Sequence, residues 1–180
     1  MAQLTQLLTE ELQGLLDAEN QLTKALPKMA SAAHNQKLKE AFTKHLAQTQ
    51  THVERLNQAL GILGTKTEAK PCRAMEGLIE AGQERIKEVQ GRGNVTADLA
   101  LIGAAQTVEH YEISAYGTAR SMARLIGERE VAQLLSHTLG EEEAADFLLT
   151  EAAKPILQDI VSTDSKKMGT VPGKSHAVAS

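Results

Sequence analysis

Four long stretches of the chain carry apolar residues at alternating steps of three and four, and ionisable residues interrupt each one near its middle. The first runs Leu8, Leu12, Leu15, Glu19, Leu22, Leu26, Met29, Ala33, and the second Leu38, Phe42, His45, Thr49, His52, Leu56, Leu60, Leu63. The third runs Ile102, Ala105, Glu109, Glu112, Tyr116, Ala119, Ala123, Ile126, and the fourth Val131, Leu135, Thr138, Glu142, Asp146, Leu149, Ala153, Ile156, Ile160. This period keeps one face of a helix apolar along its whole length, as packing inside a bundle requires. A turn near Asn35 separates the first two helices, Asn94 opens the third, and Gly127 precedes the fourth.

Gly64 to Gly93 has to carry the chain from one end of the bundle back to the other. At 1.5 Å per residue, a helix of roughly 28 residues is about 42 Å long, so a long crossover is geometrically reasonable. Pro71 can start a short helix within it; Cys72, Met75, Ile79, Ile86 and Val89 give that helix an apolar face, and Gly91 and Gly93 end it. Two helical hairpins joined by one long crossover predict an all-α, ferritin-like four-helix bundle with an extra short helix in the crossover. Composition agrees, since 42% of residues are hydrophobic and 2% aromatic, and a core of Leu, Ala, Val, Ile and Met suits helices. One domain is predicted over 1–161. Pro27 is expected to kink or loosen its turn, and the polar stretch 162–180 to form a mobile tail.

The net charge of −4, with no basic cluster and no aromatic residues among basic ones, argues against nucleic-acid binding. A single cysteine, Cys72, allows no internal disulfide and suits a reducing compartment. The first residues lack a secretory pattern, and no apolar run is long enough to span a membrane, so a cytoplasmic location is expected.

The chemistry is carried by the polar interruptions, because a buried carboxylate is too costly to leave without a partner or a cation. Glu19, Glu109 with Glu112, and Glu142 with Asp146 bring oxygen donors to one depth, with His45 and His52 facing them from the second helix. Taken singly, Glu19 can be a register-setting core residue and each histidine an ordinary hydrogen-bonded one. Taken together, they predict a metal site of the di-iron or di-manganese type, with Glu19, His52, Glu109, Glu112, Glu142 and Asp146 as ligands. In this reading Glu109 and Glu142 bridge and the other four are terminal. Tyr116 is placed to hydrogen-bond a ligand, His110 and Tyr111 fall off the seam, and Glu141 or Glu143 reaches the interior only if the phase shifts by one. No nucleophile elbow, acid/base triad or phosphate loop competes.

The segments Asp17-Ala18-Glu19-Asn20-Gln21-Leu22, Ala74 to Ile79, Ala105 to Ile113 and Thr138 to Glu143 resemble the YciE/YciF-like bacterial stress proteins of the ferritin-like superfamily. The resemblance spans most of residues 4–160. It implies a rubrerythrin-like bundle with a dinuclear iron or manganese site, a homodimer, and a role in oxidative or envelope stress through reaction with oxygen or peroxide. A ferroxidase or catalase-like activity follows from that, with no assigned catalytic residue. The second helix departs from the pattern: relatives carry glutamates just after the equivalent of Leu46, where this chain has Ala47, Gln48 and Gln50, with His52 one turn on. The loss of charge there leaves a structural or interaction protein with a degenerate site as the alternative. The apolar face around Met75, Ile79 and Ile86 is expected to be covered by the second subunit.

Overall fold

The computed structural model describes residues 1–168, and among these every regular element is a helix. Helices α1 (Ala2–Ala32) and α2 (Gln36–Ile62) form one hairpin, α4 (Asn94–Ile126) and α5 (Arg129–Met168) the other, and α3 (Arg73–Glu88) lies in the crossover. The chain thus has the all-α ferritin-like architecture expected from its seams. Helix α5 runs seven residues past position 161, to Met168, while 169–180 lie outside the described residues, as does that part of the expected tail.

Local chemistry sets the turns. The Asn35 side chain accepts the backbone N–H groups of Lys37 and Leu38, capping α2. Asp98, buried on α4, accepts the N–H groups of His34 and Asn35 at 2.8 Å each, which fixes the α1–α2 corner against the other hairpin. Gly127 closes α4 at φ 87°, a left-handed conformation that costs glycine little. Helix α1 continues through Pro27, so the expected disruption does not end it; the proline ring occupies an exposed position.

The crossover is tied along α1. Asp17 Oδ2 accepts the N–H of Cys72 at 2.7 Å, Gln21 donates to the Cys72 carbonyl at 3.2 Å, and the Lys70 N–H reaches the Gln13 carbonyl at 3.0 Å. Helix α3 then lies on α4 and α1, where Met75 is fully buried and Ile79 and Ile86 are partly so. Met75 itself is thus covered by α1 and α4 of the same chain, without a second subunit, while Ile79 and Ile86 stay half-buried.

The core is split in two. Leu8, Leu12, Leu15, Leu56, Leu60, Ala119, Ala123, Val131 and Leu135 belong to one apolar cluster. Leu22, Leu26, Leu38, Phe42, Met75, Ile102 and Leu149 belong to the other. The buried polar residues Glu19, His45, Thr49, His52, Glu109, Glu112, Thr138 and Glu142 lie between them in sequence on all four long helices.

Candidate metal centre

Each long helix supplies donors to this belt: Glu19 from α1, His45 and His52 from α2, Glu109 and Glu112 from α4, and Glu142 from α5. The i to i+3 and i to i+7 spacings put residues of one helix on the same face, so the seams that fill the core also aim these side chains inward. Two groups form. One donor atom from each of Glu19, His52 and Glu142 lies within 4.8 Å of the others, and the same holds for His45, Glu109 and Glu142. Glu142 is common to both. Its Oε1 stands 2.9 Å from His52 Nδ1 and its Oε2 3.5 Å from His45 Nε2. Glu19 Oε1 is 3.3 Å from His52 Nδ1, and Glu109 Oε1 is 3.3 Å from His45 Nε2.

These short separations are not aligned as hydrogen bonds. Both Glu142 oxygens, both Glu112 oxygens, Glu19 Oε2, Glu109 Oε2, both His45 nitrogens, His52 Nδ1 and Thr49 Oγ1 are buried without a hydrogen-bond partner. Such groups cost a fold stability unless something compensates them, and so many oxygen and imidazole donors in one place suit hard or borderline divalent cations. The residues present fit a metal.

The electrostatics show the strain of bringing these acids together. Burial, followed by the charge of Glu142, pushes the Glu109 carboxyl well above the usual range, and burial with Glu19 does the same to Glu112. Glu19 is also raised, chiefly by burial, which outweighs its contact with His52. Burial lowers His45. For His52 burial acts downward, but Glu142 and Glu19 outweigh it and raise the imidazole to about 10.

Supporting side chains hold the donors. The Tyr116 hydroxyl donates to Glu19 Oε1 at 2.5 Å, as its seam position led us to expect. Glu141 Oε2 lies 2.9 Å from His52 Nε2, and Arg55 grips both Glu141 oxygens and contacts Thr138 Oγ1 at 3.3 Å. That arginine holds Glu141 below the usual carboxylate range. The role of Glu141 is legible only with the fourth helix in its true phase, and nothing in the sequence pairs it with Arg55.

Of the six residues expected to ligate, the structure places Glu19, His52, Glu109, Glu112 and Glu142 in the buried belt. Asp146 is turned to the half-exposed flank, where Gln106 Nε2 donates to its Oδ1 at 3.0 Å and His110 Nε2 stands 3.3 Å away. One turn beyond Glu142, Asp146 lies outside both donor groups, though its charge still acts on Glu109. His45, an interior residue left out of the expected ligand set, takes the corresponding place beside Glu109 and Glu142. Tyr111, off the seam, instead reaches Cys72 Sγ at 3.0 Å.

An antiparallel helical bundle with a polar centre between apolar ends is the ferritin-like arrangement. The chain belongs to the family described as "Domain of unknown function (DUF892)", whose model matches residues 3–162. It is 47% identical over 137 residues to protein YciF of Escherichia coli K12, covering 76% of this chain and 81% of that one. The crystal structure of the E. coli stress protein YciF superposes with a TM-score of 0.82 at 42% identity, covering 88% of this chain and 99% of the other. A dodecameric thioferritin from Bacteroides fragilis shares the fold, with a TM-score of 0.65 at 15% identity over 90% of each chain. No helix among the described residues is long and apolar enough to cross a membrane.

Proposed function

We propose that this is a non-haem metal-binding stress protein whose central site holds two iron or manganese ions and reacts with oxygen or peroxide. One observation carries the reading: four buried carboxylates, Glu19, Glu109, Glu112 and Glu142, converge with two imidazoles and leave most of their donor atoms unpartnered. Four ionised carboxylates balance the charge of two divalent cations, and four glutamates with two histidines is the donor set of di-iron helical bundles. Bound iron or manganese would supply the electron transfer to oxygen or peroxide. Glu142, shared by both donor groups, suits the bridging role, with His52 and Glu19 on one side and His45 and Glu109 on the other. Glu112 adds a carboxylate from the same face of α4 as Glu109. Tyr116 fixes the rotamer of Glu19, Glu141 fixes the ring of His52, and the two apolar clusters flank the donors along the bundle. Asp146 does not enter this ligand set.

The test is anaerobic titration of the apo-protein with Fe(II) or Mn(II), followed by metal analysis and assay of oxygen and peroxide consumption. About two ions per chain are expected, and fewer than one would sink the reading.

A second reading, a structural or interaction protein with a degenerate site, has its own support. The di-iron pattern places Glu-x-x-His on two helices. Here Thr49-x-x-His52 and Glu142-x-x-Ala145 occupy such spacings, so one glutamate and one histidine of the pattern are missing, with His45 one turn before Thr49 and Glu112 on α4 as the extra donors. A homodimer and a cytoplasmic location belong to the proposal as well. Phe147 at 61% and Leu148 at 49% exposure leave a large apolar pair on α5 for a second subunit, and light scattering showing a stable dilute monomer would remove the dimer.

A further inference from the structure

A groove of about 310 Å³, open to solvent on one side, lies between α1, α3 and α4, with His45 of α2 also in its lining. Its walls are apolar, built by Leu22, Leu26 and Met29 of α1, Ile79 and Ile86 of α3, and Val108 of α4. Its polar lining residues are Lys28, Gln83 and Lys87, all exposed, and His45 and Glu109, both buried. Lys28 and Lys87 line it and are exposed, so they mark its open side. His45 and Glu109 line it and are buried, so they mark its inner end, and both His45 nitrogens and Glu109 Oε2 lack hydrogen-bond partners there.

Apolar walls open to solvent on the lysine side, closed off inward by buried groups, have the form of a small-molecule site. An apolar cavity of about 150 Å³ accepts a benzene-sized molecule of six carbons, and twice that volume has room for a chain of about ten to twelve. We infer that this groove binds a free, unbranched aliphatic monocarboxylate of roughly that length, its carboxylate at Lys28 and Lys87 and its chain running inward to His45 and Glu109. The opposite orientation would press an anionic head against Glu109. The inference goes beyond the metal reading without depending on it, since chain burial and the lysine contacts need no metal. It does place an organic molecule at the edge of the donor cluster.

Calorimetric titration of the full, metal-free chain with octanoate, decanoate and dodecanoate, each below its micelle concentration, tests it. One molecule per chain is expected, with affinity rising roughly three- to four-fold per added methylene and levelling off once the groove is full. Reversing both rim charges, Lys28→Glu with Lys87→Glu, acts at exposed positions; it should weaken decanoate about ten-fold or more while leaving 1-decanol unchanged. Ala25, buried in the groove wall, when changed to Phe should abolish binding of both; if that variant fails to fold, the lysine pair decides. Absence of saturable binding, affinity independent of chain length, equal decanoate binding by the charge-reversed variant, or binding that requires a dimer to dissociate would each overturn the inference. Intact decanoate binding by a chain that takes up no Mn(II) would sink the proposed metal function and leave this one standing.

Discussion

Glu141 holds the outer nitrogen of His52: its Oε2 lies 2.9 Å from His52 Nε2, while the inner nitrogen, Nδ1, faces Glu142 Oε1 at 2.9 Å. With Nε2–H held by this carboxylate, the proton His52 would give up on binding a metal is the one on Nδ1, which turns that lone pair to the cluster. Because Arg55 anchors Glu141 from outside, the orientation of a buried ring is set by a pair of residues on its half-exposed side.

Removing that anchor should loosen metal binding without unfolding the bundle. For Glu141→Ala, the dissociation constant for Mn(II) or Fe(II) should rise about 10- to 100-fold, measured by titration. Glu141→Gln keeps an acceptor for His52 while losing the charge that Arg55 grips, so it should fall between the variant and the parent. An unchanged constant in Glu141→Ala would show that His52 needs no support.

The metal-free fold should lose stability as pH rises. His52 is raised from 6.5 to about 10 on folding, so its contribution is complete below pH 6.5 and is lost as pH climbs through 10. The raised carboxyls Glu19, Glu109 and Glu112 act in the same direction above their ordinary range, since the folded state holds protons the unfolded state has released. His45, lowered from 6.5, acts in the opposite direction, but only below pH 6.5. The melting temperature of chelator-treated protein should therefore fall between pH 6.5 and 10. Saturating Mn(II) should remove that slope and, at a hundred times its dissociation constant, add about 2.7 kcal/mol.

Glu109 and Glu142 should answer differently to the same neutral replacement. Glu109→Gln relieves a carboxyl that burial and Glu142 disfavour, so the apo-protein should be as stable as the parent or more so. Glu142→Gln withdraws the charge facing His52 and should destabilise the apo-protein by about 3 kcal/mol. Both variants should lose most of their bound metal. Thermal melts with metal analysis decide it, and full metal retention in both would remove the cluster as the binding site.

The corner between α1 and α2 supplies a control remote from the cluster. Asp98→Ala strands the N–H groups of His34 and Asn35 and should cost about 2 kcal/mol in urea denaturation. Asp98→Asn, which can still accept one of the two, should cost about half as much. Metal stoichiometry should be unaffected.

The helices and their inward faces were legible in the amino-acid order because burial on a helix repeats every three to four residues. Leu8, Leu12 and Leu15 therefore announce the same face that the structure buries. The same rule located Glu19, Glu109, Glu112 and Glu142, acids on apolar seams that the structure buries. The order alone could not separate Asp146 from His45. Both sit on the seams, but Asp146 accepts from Gln106 of another helix on the half-exposed flank, while His45 stands beside Glu109 and Glu142. Nor could it pair Glu141 with Arg55, 86 positions away, because that contact exists only once α2 and α5 lie side by side. The covering of Met75 was likewise settled by the path of the crossover, which Asp17 pins along α1 through the Cys72 N–H. Periodicity states which way a side chain faces along its own helix; what it meets there is decided by how the helices dock.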